Sequence, residues 1–170
     1  MKILKIVLTI IGAVAVILIV AFGIYLLVNK QGVIESYEIT RAEVEYKVLI
    51  ASQGSNFKNA LVESLTTHLR EKANINVIDV TALHETDEDE WDAVVLIHTT
   101  EQSKLQPDVK KYLDRAQDLP KIILVTTSGS GDWKTDDYDI DVITSASKTD
   151  ELPSLTQKIL GWIDTLLAKG

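Results

Sequence analysis

Residues 47–69 have the sequence KVLIASQGSNFKNALVESLTTHL, and this stretch decides the fold. Its first six residues form a short, continuous apolar run, which is typical of a β-strand buried on both faces. A small polar loop follows at residues 53–56. After the loop, apolar residues recur every three or four positions, which predicts an amphipathic helix. A buried strand that leads through a short loop into a helix indicates one βαβ unit of a parallel sheet.

The same alternation continues toward the carboxyl terminus. Short apolar runs predict four further strands, at residues 74–80, 92–98, 121–126 and, more weakly, 140–144. Helical spacing predicts a helix around 105–116 and a last helix around 155–167. An acidic stretch at 85–90 stands where another crossover helix normally lies, and at most a short helix fits there.

These units predict a parallel sheet with helices on both faces. In such sheets, ligands bind beyond the carboxyl ends of the strands. Three loops therefore form the candidate site, namely residues 52–56, 98–103 and 127–133.

The soluble part of the chain resembles the flavodoxins from Lys47 to Leu167. The resemblance lies in the five short strands, in the small loop that enters a helix directly after the first strand, and in Thr127-Ser128-Gly129-Ser130-Gly131 after the fourth strand. It implies an α/β three-layer sandwich whose five-stranded parallel sheet has the order 2-1-3-4-5. It also implies that any flavin mononucleotide (FMN) is held at the three loops. The implied FMN-binding residues are Ser52, Gln53, Gly54, Ser55, Asn56, His98, Thr99, Thr100, Thr127, Ser128, Gly129, Ser130, Gly131 and Trp133.

The phosphate loop departs from the family pattern. Flavodoxins hold the FMN phosphate in a loop of the form T-x-T-G-x-T at a helix amino terminus, where backbone N–H groups and hydroxyls surround the dianion. Here Ser52 keeps a hydroxyl at the first position of the motif. Gly54 replaces the second threonine, Ser55 replaces the glycine, and Phe57 replaces the last threonine. The alternative interpretation is that Ser55 or Asn56 is simply the N-cap of the helix.

The fourth crossover is also shortened. Only residues 127–139 separate the fourth and fifth strands, which is too few for a full helix with its loops. Trp133 in this segment has two interpretations: it stacks on a flavin ring, or it covers the gap that the missing helix leaves.

The amino terminus predicts a membrane anchor. Residues 1–5 are basic, and residues 6–28 contain no charged side chain, which is long enough for a transmembrane helix. A cleaved signal peptide is the alternative, although its apolar region is usually shorter. Residues 29–46 are interpreted as a juxtamembrane stalk and 47–168 as the domain. Lys2 and Lys5 before the helix, against Lys30 after it, favour an extracytoplasmic domain at the cell membrane.

Composition excludes several function classes. The formal charge is −8, and since residues 1–30 contain three lysines and no acid, residues 31–170 carry −11. Such a domain is repelled by nucleic acid. The chain has no cysteine, so it forms no disulfide or thiolate site.

The candidate catalytic residue is His98, and the candidate metal ligands are the aspartates in 132–141. His98 ends a central strand, and a structural role is favoured over a general base because no nucleophile accompanies it. The aspartates in 132–141 form a solvated loop whose spacing departs from a calcium-binding loop. No catalytic or metal residue is therefore assigned, and the sequence leans away from an enzyme.

Three functions remain open. The favoured one is a membrane-tethered interaction or sensory module without a bound cofactor, which contacts a protein partner through the loops at the strand carboxyl ends. The alternative is a membrane-tethered FMN-binding electron-transfer protein. A hydrolase that uses His98 is the third.

Overall fold

The structure is a computed structural model that describes residues 2–28 and 31–169. It divides into a helical amino-terminal unit and a sheet-containing unit that begins at Gly32. Met1 and Lys30, which contribute to the predicted charge difference across the anchor, lie outside the described residues.

The first unit is a single helix, α1 (Lys2–Val28). Its segment Lys5–Ile24 has a mean hydropathy of 3.0. At 1.5 Å per residue, such a segment is about 30 Å long, the thickness of a hydrocarbon layer. The helix is thus long and apolar enough to cross a membrane.

The second unit contains a seven-stranded sheet. Its strands are β1 (Gly32–Val33), β2 (Tyr37–Ile39), β3 (Lys47–Gly54), β4 (Asn74–Asp79), β5 (Ala93–Thr99), β6 (Ile122–Thr127) and β7 (Asp141–Ser145). Five of them form a parallel core in the spatial order β4-β3-β5-β6-β7. In chain order this is 2-1-3-4-5, so the predicted flavodoxin-like arrangement is confirmed.

Helices cover both faces of the sheet. They are α2 (Asn56–Leu69), α3 (Pro107–Arg115) and α4 (Leu152–Leu167). On one face, leucines of α2 and α4 pack with Val48 and Ile50 of β3 in a first apolar cluster. On the other face, α3 packs with Leu49 and its neighbours in a second cluster. Three layers result, because each strand buries alternate side chains on opposite faces.

The prediction of a separate stalk at residues 29–46 needs correction. β1 pairs antiparallel with the end of β3, and β2 pairs antiparallel with β4. Ile34 is buried in the first cluster, and its N–H donates to Asp79 Oδ2 at 3.1 Å. The sheet therefore includes residues well before 47, because these short segments satisfy backbone groups and apolar surface that the parallel core leaves open.

Two crossovers lack an α-helix. Between β4 and β5, the chain forms the 3₁₀ turns Val80–Glu85 and Glu88–Glu90 in place of a helix, in keeping with the acidic stretch. Between β6 and β7, residues 128–140 are all described and form neither helix nor strand. The shortened fourth crossover is thus present as predicted.

Candidate functional site

The carboxyl ends of β3, β5 and β6 lie side by side. Ser52 is level with Ile97, and Thr99 is level with Thr127 in the parallel registers. The hydroxyls of Thr99 and Thr127 are 2.7 Å apart. The fold therefore brings together the ends of the three predicted loops.

The first loop is shorter than the sequence predicts. β3 continues through Gln53 to Gly54, and α2 begins at Asn56, so Ser55 alone separates strand from helix. Ser55 is the N-cap, since its hydroxyl accepts the Lys58 N–H at 3.2 Å. The strand is extended because β1 supplies pairing partners for Gln53 and Gly54.

Gly54 lies directly against β1. A Cβ added at Gly54 would come within 2.6 Å of the Val33 carbonyl oxygen and 2.8 Å of the Gly32 carbonyl carbon. Gly54 occupies the position that carries the second hydroxyl in the flavodoxin pattern. The backbone of β1 thus takes the space that a threonine side chain would need.

Ser52 and Gln53 make internal hydrogen bonds. The Ser52 hydroxyl is fully buried and donates to the Gln53 carbonyl at 2.9 Å. The Gln53 side-chain oxygen accepts the Thr99 N–H at 2.7 Å. The Gln53 side chain therefore joins β3 to β5, whereas the Ser52 hydroxyl is bonded within β3.

Lys58 is the charged group of the site. It lies in the first turn of α2, is 2% exposed, and donates from Nζ to the Thr99 hydroxyl at 2.6 Å. Burial lowers the pKa of Lys58 from 10.5 to about 8, because an ammonium group loses hydration in a low-dielectric environment. A buried ammonium group thus lies beside the end of β5, on the helix that follows the predicted phosphate loop.

His98 is buried within the same polar network. Its Nδ1 lies 3.1 Å from the Thr99 carbonyl and its Nε2 3.0 Å from the Thr126 hydroxyl. Since a carbonyl only accepts, Nδ1 carries the proton and Nε2 accepts. Burial is the main cause that lowers the pKa of His98 to about 4, and the charge of Lys58 lowers it further. These contacts are those of a neutral structural histidine.

The second loop forms a tight turn. Glu101 and Lys104 exchange two backbone hydrogen bonds of 3.0 Å, and the two residues between them, Gln102 and Ser103, have φ angles of 51° and 58°. Residues other than glycine rarely adopt this left-handed backbone conformation. Such backbone strain is concentrated at functional sites. The Thr100 N–H donates to the Thr127 carbonyl at 2.9 Å, which fixes the start of the turn.

The third loop is held against the end of β7. The Ser128 N–H donates to the Ser145 carbonyl at 3.1 Å, and the Ser128 hydroxyl accepts the Gly131 N–H at 2.9 Å. Gly131 has a φ of +79°, and a Cβ there would lie 2.7 Å from the Ala146 nitrogen. Gly129 and Ser130 complete the turn, with the Ser130 hydroxyl donating to Asp132.

Trp133 packs, partly buried, against the second apolar cluster. Tyr138, Ile140 and Val142 contact the same cluster. These side chains come from the fourth crossover and from β7. Their packing matches the interpretation that Trp133 covers the gap left by the missing helix.

Sequence reasoning missed Lys58 and Asp79. Lys58 precedes Leu61 and Leu65 by three and seven positions, so helical spacing places it on the core face of α2, which was the available signal. Asp79 is 5% exposed, and its two oxygens hold Ile34 and Thr81. The role of Asp79 depends on β1, and the sequence of residues 32–33 has no pattern that predicts a strand. Within the part of the chain that the structure describes, no group of acids and histidines is arranged to hold a metal ion.

Comparisons with known proteins found structural similarity. No protein-family model and no curated protein sequence matches the chain. A solved structure of a flavodoxin from the domain Archaea is 12% identical, with a TM-score of 0.48, over 71% of this chain and 98% of that one. Smu.1420 from Streptococcus mutans UA159 is 14% identical, with a TM-score of 0.45, over the same shares of the two chains. The assignment of the fold depends on the strand order and the layers described above.

Proposed function

Because this chain has a flavodoxin-like fold preceded by an apolar helix, we propose that it is a membrane-anchored interaction or sensory module that binds no flavin. The observation that carries the proposal is the contact of β1 with Gly54. The backbone of Val33 occupies the place where the flavodoxin pattern puts a phosphate-binding hydroxyl. Because β1 fills the position where a cofactor phosphate would bind, the proposed role of the remaining scaffold is contact with a partner protein.

The surrounding contacts support the same conclusion. Ser52 and Thr99 each donate a hydrogen bond to Gln53, and Trp133 packs on the core. Flavin binding would have to break these contacts, and a buried polar group left unpaired costs about 1–3 kcal/mol.

The partner surface in this proposal is the strained turn at Gln102 and Ser103, with the neighbouring Gly129–Gly131 loop. Both residues of the turn are exposed. Exposed polar loops held by a rigid sheet are a frequent place for recognition. α1 anchors the protein in the lipid bilayer, and the lysines before it favour an extracytoplasmic domain at the cell membrane.

One observation favours the alternative, an anchored FMN-binding electron carrier. The amino terminus of α2 and the Lys58 ammonium lie together, and both favour an anion. In this alternative, β1 has to leave Gly54 before a phosphate enters.

A flavin titration separates the two functions. The full chain, purified in detergent micelles, is titrated into FMN while flavin fluorescence is recorded, with an authentic flavodoxin in the same detergent as the control. We expect no quenching from the chain and no flavin absorption bands in the purified protein. Stoichiometric flavin in the preparation, or saturable quenching, would show that the carrier function is correct.

A cross-linking experiment tests the partner surface. A photoreactive amino acid is placed at Gln102 in the turn or, as a matched control, at Gln157, which is exposed on α4. In native membranes, we expect a discrete cross-linked protein from position 102 and none from 157. Equal labelling from both positions would contradict a specific surface at the strand carboxyl ends.

A further inference from the structure

A groove lies at the opposite end of β3 from the site described above. It has a volume of about 530 Å³ and is lined by the starts of β3 and β4, by the end of β2, and by Glu90 and Trp91. The crossover from β4 to β5 consists of 3₁₀ turns, so no full helix covers this part of the sheet face. Alternation along β4 places Ile75 and Val77 in the first cluster, and Asn76 therefore faces the groove side.

Several polar groups in the groove are uncommitted. The side chains of Asn76, Lys47, Glu38 and Glu90 make no hydrogen bond or ion pair with any other residue that the structure describes. Asn74, by contrast, is engaged with Val44 and Arg41. A concave surface that keeps donors and acceptors free is typical of a ligand site.

Trp91 adds an aromatic wall with an unsatisfied donor. Its ring packs against the second cluster, yet its Nε1 is buried without a hydrogen-bond partner among the described residues. Buried indole N–H groups usually have a partner. Trp91 is partly exposed and lines the groove, so it gives the groove an aromatic side chain.

The chemistry of these groups selects the ligand. Two carboxylates and one ammonium leave the groove with one net negative charge, which disfavours an anion. Carboxylate and amide oxygens accept hydrogen bonds from hydroxyls, while ammonium and amide N–H groups donate to them. The apolar face of an indole packs against the C–H groups of a saturated ring. We propose that this groove binds a neutral sugar ring.

Tryptophan fluorescence tests the proposal. The full chain carries Trp133→Phe and Trp162→Phe, so that Trp91 is the remaining fluorophore, and it is held in a detergent without a sugar headgroup. Glucose and N-acetylglucosamine are the probes, and spermidine is the comparison cation. We expect a saturable shift of Trp91 emission with at least one of the two sugars and none with spermidine.

Substitutions in the groove test whether the sugar binds at these residues. Asn76→Ala and Glu38→Ala are each expected to weaken sugar binding about tenfold, the effect of one lost hydrogen bond. Glu43→Ala, at an exposed acid outside the groove, is the matched control and should leave binding unchanged. Absence of a saturable shift with both sugars in a folded protein would overturn the proposal. Preferential binding of spermidine, or equal weakening by the control, would overturn it as well.

Discussion

Lys58 shows how one residue sets the character of the candidate site. A flavodoxin-like cradle uses hydroxyls and backbone N–H groups to surround an anion from outside the protein. Here a lysine from the first turn of the helix turns inward, is 2% exposed, and donates to Thr99. The ammonium group thus has a hydrogen-bond partner inside the protein, and the polar side chains of Ser52, Gln53 and His98 in the site are buried.

The buried lysine predicts a pH dependence of stability. Its pKa is lowered from 10.5 to about 8 by burial. Between these values the unfolded chain binds more protons than the folded protein, so the free energy of unfolding rises with pH across this window. The expected rise is about 3 kcal/mol. Urea unfolding from pH 7 to 10.5 should show this rise relative to Lys58→Met. Lys104→Met, at an exposed lysine, is the control and should follow the wild-type curve.

Gly54 predicts a steric effect. Gly54→Ala puts a methyl group 2.6 Å from the Val33 oxygen, so β1 must shift, and we expect a loss of about 1–3 kcal/mol. Gly129→Ala is the matched control, because nothing lies within 4 Å of its added Cβ. The measurement is the midpoint of urea unfolding for the two variants. Equal midpoints would mean that β1 does not dock on β3.

At the scale of elements, β1 is the unexpected part. It is only two residues long, yet it extends β3 by pairing with Gln53 and Gly54 and so shortens the predicted phosphate loop to a single residue. The element also brings Ile34 into the core and satisfies Asp79. A segment that resembles a linker in composition therefore acts as part of the sheet.

Two neighbouring substitutions measure this docking. Ile34 is 7% exposed and Val33 is 76% exposed. Ile34→Ala should lower the free energy of unfolding by about 2–4 kcal/mol because it removes buried apolar contacts. Val33→Ala should change it by less than about 0.5 kcal/mol, as exposed positions usually do. A stalk outside the fold would give two neutral variants in the same urea titration.

At the scale of the whole molecule, the chain joins an apolar helix to an acidic domain. α1 has 27 residues and carries its lysines at its start. Residues 31–170 carry a formal charge of −11, which keeps the domain away from anionic surfaces. In the proposed function, α1 is the membrane anchor of this acidic domain.

A charge in the middle of α1 tests the anchor. Val16 is 60% exposed near the centre of the apolar segment. Val16→Arg should cost about 2.5–3.5 kcal/mol of insertion free energy, and we expect part of the protein to leave the membrane fraction on alkaline extraction. Gly12→Ala, which adds a methyl group in open space, is the control. Complete retention of the arginine variant would argue against a spanning helix.

Local pattern was enough to predict the parallel core. The runs at Val48–Ala51 and Val94–Ile97 are fully buried, as continuous apolar strands must be when helices cover both faces. The missing helix between β6 and β7 also followed from chain length alone. These features depend on neighbours in sequence, which are visible before the chain folds.

The contents of the candidate site depend on contacts between distant residues. Gly32 and Gly54 are 22 positions apart in the sequence, and Lys58 and Thr99 are 41 positions apart. The local hydrophobic periodicity therefore predicts neither contact. The sequence by itself determined a flavodoxin-like sheet, an apolar first helix and an eroded phosphate motif. Only the tertiary structure decided that β1 fills the eroded position and that Lys58 turns inward, because such pairings exist only once the sheet has brought the strand ends together.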